Sequence, residues 1–345
     1  MKIAKKEKTY IRNLLLTTVF GGLIGFINYL FNIFLARFTT ETIFGLYSTA
    51  IGLIYLIQIP ALSIQNVLTK SVGESKDGNV ENLKWKSVTI FSTIGFIFSL
   101  LFLLLVPIIT DPTQVSPDIV APLAMTLLLA FLSPITKGIL LGKEKIVLVN
   151  IILLAETLLR FAIGFVAIQM DGNIDLLILA SAIPSFISVL AVLPFIKSKK
   201  TQTKKISISF TELILMAVSL ILLSAPYTLD LILTPLAVKG EYGALSLIGK
   251  LVYFSCTIVA TVMFARLANQ KNDKEELKTV GLAVFITFVI GIGMSIGIFL
   301  FRNLLINFAF GGRYSEITSY FFVFGLAMSA YATVYMLANF FFSRN

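Results

Sequence analysis

Residues 87–109 read S-V-T-I-F-S-T-I-G-F-I-F-S-L-L-F-L-L-L-V-P-I-I, a stretch without a single charged side chain. A helix of about 20 apolar residues crosses a hydrocarbon core about 30 Å thick, because it satisfies every backbone N–H and C=O within itself. The run therefore reads as a membrane span. Lys84, Trp85 and Lys86 stand directly before it, and an indole beside basic residues suits the membrane–water interface.

Outward from this stretch, the same reading gives nine further spans. They lie at about 14–36, 43–68, 119–141, 146–168, 174–196, 211–233, 241–264, 279–301 and 318–341. Hydrophobic residues make up 57% of the 345 positions and mean hydropathy is +0.93, which leaves too little polar surface to coat a water-soluble globule. Barrel-type alternation of polar and apolar residues is absent. The expected fold class is an all-α polytopic membrane protein of about ten transmembrane helices.

Basic residues set the orientation. The amino-terminal tail (Lys2, Lys5, Lys6, Lys8, Arg12), the even-numbered loops (Lys70 to Lys86, Lys137 to Lys145, Lys197 to Lys205, Arg266 to Lys278) and Arg344 hold all but six of the 28 Lys and Arg residues. The six are Arg37, Arg160, Lys239, Lys250, Arg302 and Arg313. The positive-inside rule then places the amino terminus in the cytoplasm and the chain in the cytoplasmic membrane as a multi-pass protein. The net charge of +10 is topogenic and attracts anionic membrane lipids; spread over separate loops, it does not form a nucleic-acid-binding face.

Composition also excludes chemistry. The chain has no His, so imidazole metal sites, Ser-His-Asp catalysis and histidine proton relays are ruled out. Cys256 is the single cysteine and cannot form an intramolecular disulfide. No phosphate-binding loop of the G-x-x-x-x-G-K-[ST] type occurs, and no loop is long enough to form a soluble domain. The first apolar run is too long for a signal peptide and is expected to be retained. Neither an enzymatic activity nor a cofactor is expected.

An internal repeat organises the rest. Phe44-Gly45-Leu46-Tyr47-Ser48 recurs 198 residues later as Tyr242-Gly243-Ala244-Leu245-Ser246, each beside a glutamate, Glu41 or Glu241. With span one matched to span seven, both copies run the same way, which gives parallel repeats. The expected division is a six-helix lobe at 1–196, a basic cytoplasmic linker at 197–210 and a second lobe at 211–345. That second lobe holds only four helices, so the sequence is expected to be truncated.

Asn28 to Arg37, N-Y-L-F-N-I-F-L-A-R, followed by Glu41 to Ser48, E-T-I-F-G-L-Y-S, resembles the first-loop signature of polysaccharide and lipid-linked oligosaccharide flippases. These belong to the multidrug, oligosaccharidyl-lipid and polysaccharide exporter superfamily. Leu229-Asp230, Gly240 to Gly243, Met263 to Arg266 and Phe310-Gly311-Gly312-Arg313-Tyr314 are similar to later segments of that family. The resemblance covers essentially the whole chain. It implies two lobes around a cavity that opens alternately to each face, and transbilayer movement of an oligosaccharide on a polyprenyl diphosphate lipid. The expected driver is an H+ or Na+ gradient acting through Glu156 or Asp230, and glycan-assembly enzymes are expected partners. A drug or metabolite cation exporter of the same superfamily is the alternative; a membrane glycosyltransferase or ligase fits less well, because the outer loops are short.

Charges inside spans mark candidate sites, since each costs about 2.5–3.5 kcal/mol at the bilayer centre. Glu156 and Arg160 lie four apart on one helical face, either as a self-neutralised pair or as a pair that substrate or a coupling ion opens. Lys250 is too deep to snorkel easily; it contacts a phosphate, pairs with Asp230 or faces lipid. Asp230 is either a coupling-ion site or an interfacial acid. Arg37 either anchors span one or meets substrate, and Asn28 and Asn32 either line a cavity or bond between helices. The substrate-binding candidates are therefore Lys250, Arg160, Arg37, Asn28 and Asn32, and the coupling-ion candidates Glu156 and Asp230. Pro60, Pro122, Pro134, Pro184 and Pro226 are expected to kink spans, and Gly293 with Gly297 to form a packing face. The Lys250→Ala variant should insert normally and lose export, scored by membrane fractionation beside a transport assay; wild-type export would remove the phosphate role.

Overall fold

The computed structural model describes residues 2–74, 79–113, 119–197, 209–267 and 273–344, and every regular element among them is helical. Most of the expected 197–210 linker, with Lys76, residues 114–118, Lys271 and Asn345, lies outside the described residues. Among the described residues, eight helical stretches are long and apolar enough to cross a membrane, one of them, Val120–Gly142, interrupted by a turn. The other two expected spans are the sixth, which is broken, and the eighth, Lys239–Leu267. The chain forms two compact units, Met1–Leu236 and Ala237–Asn345.

In the first unit, α1 (Lys2–Phe38) packs along α6 (Ile146–Gln169), and α2 (Glu41–Glu74) packs against both α5 (Ser133–Gly142) and α9 (Phe210–Leu233). Between them, α3 (Val80–Thr113) packs on α4 (Val120–Ala130). The expected fourth span is thus two helices, α4 and α5, separated at Phe131-Leu132. The sixth divides likewise into α7 (Ile174–Leu179) and α8 (Ile183–Val192). Proline explains both breaks: Pro134 has no N–H for the Ala130 carbonyl, and Pro184 none for that of Ala180. Pro226, by contrast, sits inside a continuous α9.

Small residues let these helices approach closely. A Cβ on Gly138 would lie 2.7 Å from the Gln65 carbonyl oxygen, and one on Gly142 2.6 Å from the Val72 Cβ. These two glycines, one turn apart, set the distance between α5 and α2. Gly52 does the same for α9, where a Cβ would stand 3.3 Å from Ile232, Leu231 and the Thr228 carbonyl. By repeat, α9 opens the second half of the sequence; by contact, it lies in the first unit. Buried Ile64, Leu68, Leu83, Phe91, Phe131, Ile135 and Ile139 fill the space between α2, α3 and α5.

In the second unit, α10 (Lys239–Leu267), α11 (Asp273–Leu300) and α13 (Phe321–Arg344) pack pairwise. Gly249 faces Phe324, Gly291 faces Ser329 and Gly325 faces Ser295. Gly293 and Gly297, the expected packing face, have no neighbouring atom within 4 Å of a built Cβ. The residues that allow close approach are instead Gly291 on α11 and Gly325 on α13, offset from the spacing that drew attention in sequence. A short helix, α12 (Arg302–Phe310), ends in the left-handed pair Gly311 (φ 65°) and Gly312 (φ 87°). That turn folds Tyr314 back, edge-on to Phe310, with ring centroids 5.4 Å apart.

Both copies of the repeated motif occupy helix starts. Phe44 and Tyr47 are buried near the beginning of α2, as are Ala244 and Ser246 near that of α10. The Gly142→Leu variant is expected to lower stability by about 1–3 kcal/mol through overpacking, seen as a reduced melting temperature in detergent. Gly297→Leu, at an open position, should melt like the wild type.

Candidate functional site

A cavity of about 290 Å3 opens within the first unit, lined by residues of α1, α2, α4, α5, α6 and α8 and by the turn Ala180-Ser181-Ala182. Both helix breaks border it: Ala130, Ser133 and Pro134 from one, Ala180, Ala182 and Pro184 from the other. Broken helices at membrane depth are tolerated where the freed backbone groups line a polar space. Gln58 and Gln65 of α2 and the hydroxyls of Thr126 and Thr157 add polar groups to the wall.

Three ionisable side chains line it: Lys137, Glu156 and Arg160. Lys137 Nζ donates to Glu156 Oε2 at 2.6 Å, and each side chain is only 10% exposed. The Ser188 hydroxyl makes a short hydrogen bond to the other carboxylate oxygen, Oε1. A buried carboxylate needs such company, since an isolated ion in low dielectric is far costlier than a paired, hydrogen-bonded one. Sequence spacing suggested that Glu156 would pair with Arg160 on its own helix; the structure instead gives it Lys137, from α5. Lys137, expected among the cytoplasmic loop charges, is instead 8% exposed within a helix.

Arg160 is held by neutral groups. Its Nη2 donates to the Tyr47 hydroxyl at 2.6 Å and its Nη1 to Asn28 Oδ1 at 3.3 Å, while Tyr55 supplies a further hydrogen bond. The guanidinium carbon lies 5.2 Å from the centroid of the Phe31 ring, within reach of a cation–π attraction. Arg160 Nε is buried and has no hydrogen-bond partner among the described residues. Phe31 can stand there because Gly164, one turn beyond Arg160, has no side chain; a Cβ would lie 2.2 Å from the ring. Asn28, Phe31 and Tyr47 all belong to the two signature segments quoted above. Those segments therefore meet around one cation of α6.

The other candidates fall elsewhere. Asn32 donates to the Asn28 carbonyl on its own helix at 2.8 Å. Arg37 ends α1, exposed, with its guanidinium 6.0 Å from the Phe38 ring centroid. Asp230 bonds locally through Oδ1 to the Leu231 N–H at 2.8 Å. Lys250 is buried in the second unit, 7% exposed. None of these four lines the cavity. Sequence reasoning overlooked Lys137, Ser188 and Tyr47; a lysine followed by Gly-Ile-Leu-Leu-Gly inside an apolar run was the available signal for the first.

No family model and no curated protein matches the sequence. Solved structures do match the fold. A multidrug resistance MATE family transporter of the MOP superfamily, in an inward-facing conformation, aligns with a TM-score of 0.69 at 12% identity, over 90% of this chain and 80% of its own. MATE in complex with Br-NRF gives 0.53 at 12% identity, over 95% and 81%. A MOP superfamily transporter from Pyrococcus furiosus, described by a binding pocket of reverse polarity, gives 0.51 at 10% identity, over 95% and 82%. The chain is thus a multi-pass membrane protein with the fold of MATE transporters of the MOP superfamily.

Removing one member of the buried pair should be costly. The Lys137→Ala variant, which leaves Glu156 with only Ser188, is expected to lose about 3–5 kcal/mol. Replacing both together, Lys137→Met with Glu156→Leu, should restore most of the melting temperature; equal melting of single and double variants would argue against the pair.

Proposed function

We propose that this chain is a flippase that moves a polyprenyl-diphosphate-linked oligosaccharide, a precursor of polysaccharide or O-antigen, across the cytoplasmic membrane by alternating access and without covalent chemistry. The observation that carries this reading is the charge of the cavity. Lys137 is matched by Glu156, and Arg160 has only neutral hydrogen-bond partners, so among the described residues the wall keeps one positive charge. A diphosphate crossing hydrocarbon has to shed water, and a guanidinium offsets that loss through charge-assisted, bidentate hydrogen bonds. A cationic drug entering the same space would meet a charge of its own sign.

In this reading Lys250 is a second phosphate contact, on the repeat-related half, and Glu156 is the coupling group. A proton or sodium ion arriving at Glu156 weakens its hold on Lys137 and releases a second cation toward the substrate. Asp230 is the other coupling-ion candidate. The amino terminus lies in the cytoplasm, where glycan-assembly enzymes hand over the lipid-linked sugar. A second reading, cation-coupled multidrug export, rests on the MATE transporter with a TM-score of 0.69, which is itself a multidrug resistance protein.

Reconstituted full-length chain and a fluorescent polyprenyl diphosphate sugar separate the two. Wild type is expected to flip the lipid, and Arg160→Ala to slow flipping roughly tenfold or more, from the loss of hydrogen bonds between charged groups. Arg160→Lys, which keeps the charge but loses the planar fork, should fall between them. Absence of flipping together with efflux of a cationic dye would establish the multidrug reading instead.

A further inference from the structure

Four lysines gather where the sixth span ends, away from the cavity lining. Lys84 of α3 is 2% exposed, and its ammonium donates to the carbonyl oxygens of Leu193 at 3.3 Å and Ile196 at 2.9 Å. Lys143, in the turn between α5 and α6, donates to the Lys197 carbonyl at 3.2 Å. Cations thus meet the carbonyl of Leu193, the residue that caps α8, and those of Ile196 and Lys197 just beyond it, the end of a helix that favours positive charge.

Capping does not neutralise the group. A helix terminus carries only about half an elementary charge, and the charges acting on Lys143 are Lys145 and Lys84, both positive. Burial first, and then these two neighbours, push the Lys143 ammonium below the usual lysine range. Glu144, between Lys143 and Lys145 in sequence, is exposed. Residues 198–208 continue with Lys199, Lys200, Lys204 and Lys205 and contain no acid. Exposed apolar rings lie on the segments that Lys84 joins: its Nζ is 4.8 Å from the Trp85 ring centroid, Trp85 is 55% exposed, and Phe195, next in sequence to Ile196, is 83% exposed.

We propose that Lys143 and Lys145 form a binding site for the phosphate of an anionic phospholipid, whose acyl chains lie against Trp85 and Phe195. An ammonium has three donors, and Lys143 spends one on the Lys197 carbonyl, leaving two for phosphate oxygens. The incoming charge relieves the repulsion among the lysines. Exposed aromatic rings on the adjoining segments of α3 and the end of the sixth span favour a ligand that is anionic at one end and apolar at the other, which a free phosphate is not. Occupancy steadies the end of the sixth span, because the same lysine holds the Lys197 carbonyl just beyond it. This site is independent of what the cavity transports.

The test is native mass spectrometry of the full-length chain released from nanodiscs of phosphatidylcholine containing phosphatidylglycerol. Wild type should retain phosphatidylglycerol in preference to phosphatidylcholine. Lys143→Gln with Lys145→Gln should bind it about thirtyfold more weakly, and Lys143→Arg with Lys145→Arg should keep it. Equal retention of the two lipids by wild type, undiminished binding by the glutamine variant, or displacement of the lipid by inorganic phosphate each overturns the site. Should the glutamine variant fail to fold, the lipid preference of wild type and the arginine variant still decide the matter.

Discussion

A charge carried into hydrocarbon has to be met by another group of the same protein, and the first unit is organised around that demand. Glu156 sits in the middle of an apolar helix, its side chain only 10% exposed, where an unpaired carboxylate is costly. Its counter-ion comes from α5, a different helix, at 2.6 Å. That distance is available because α5 is a separate segment, released by the break before Ser133, and because Gly138 and Gly142 let it lie directly on α2. The ion pair, the break and the glycines belong to one arrangement. Filling either glycine would move Lys137 as well as the helix that carries it.

Arg160 meets the same demand differently. Instead of a carboxylate it recruits two phenols, a carboxamide oxygen and the face of Phe31. Such a shell bonds the Nη groups without cancelling the charge, and it leaves Nε without a hydrogen-bond partner among the described residues. The exposed Lys70–Glu212 pair, at 3.0 Å between α2 and α9, is of another kind: solvent screens it, and it adds little stability.

Identity of 12% beside a TM-score of 0.69 shows how loosely a membrane fold constrains residue identity. Span length, apolar content and a few small residues suffice to keep the helices in place. What enters the cavity depends on the few side chains that line it, so fold and substrate vary separately. For this reason the charge of the wall, rather than the fold, carries the functional proposal.

Hydropathy and charge along the chain determined the helical class, the approximate spans and the repeated start of α2 and α10, because hydrocarbon imposes the same length and polarity rule on every crossing segment. The candidate site was legible in part: Glu156, Arg160 and Asn28 stood out as polar groups in apolar runs. Their partners did not, since i,i+4 spacing suggests a pair on one helix, while the Lys137 contact arises from two helices brought side by side. Gly293 and Gly297 had the right spacing and no neighbour; Gly291 has the neighbour. Prolines announced the breaks at Ser133 and Ile183, but only packing placed both on one cavity. Sequence by itself determined which segments cross; tertiary structure decided which charges cancel, because cancellation depends on distances between helices that no one-dimensional pattern records.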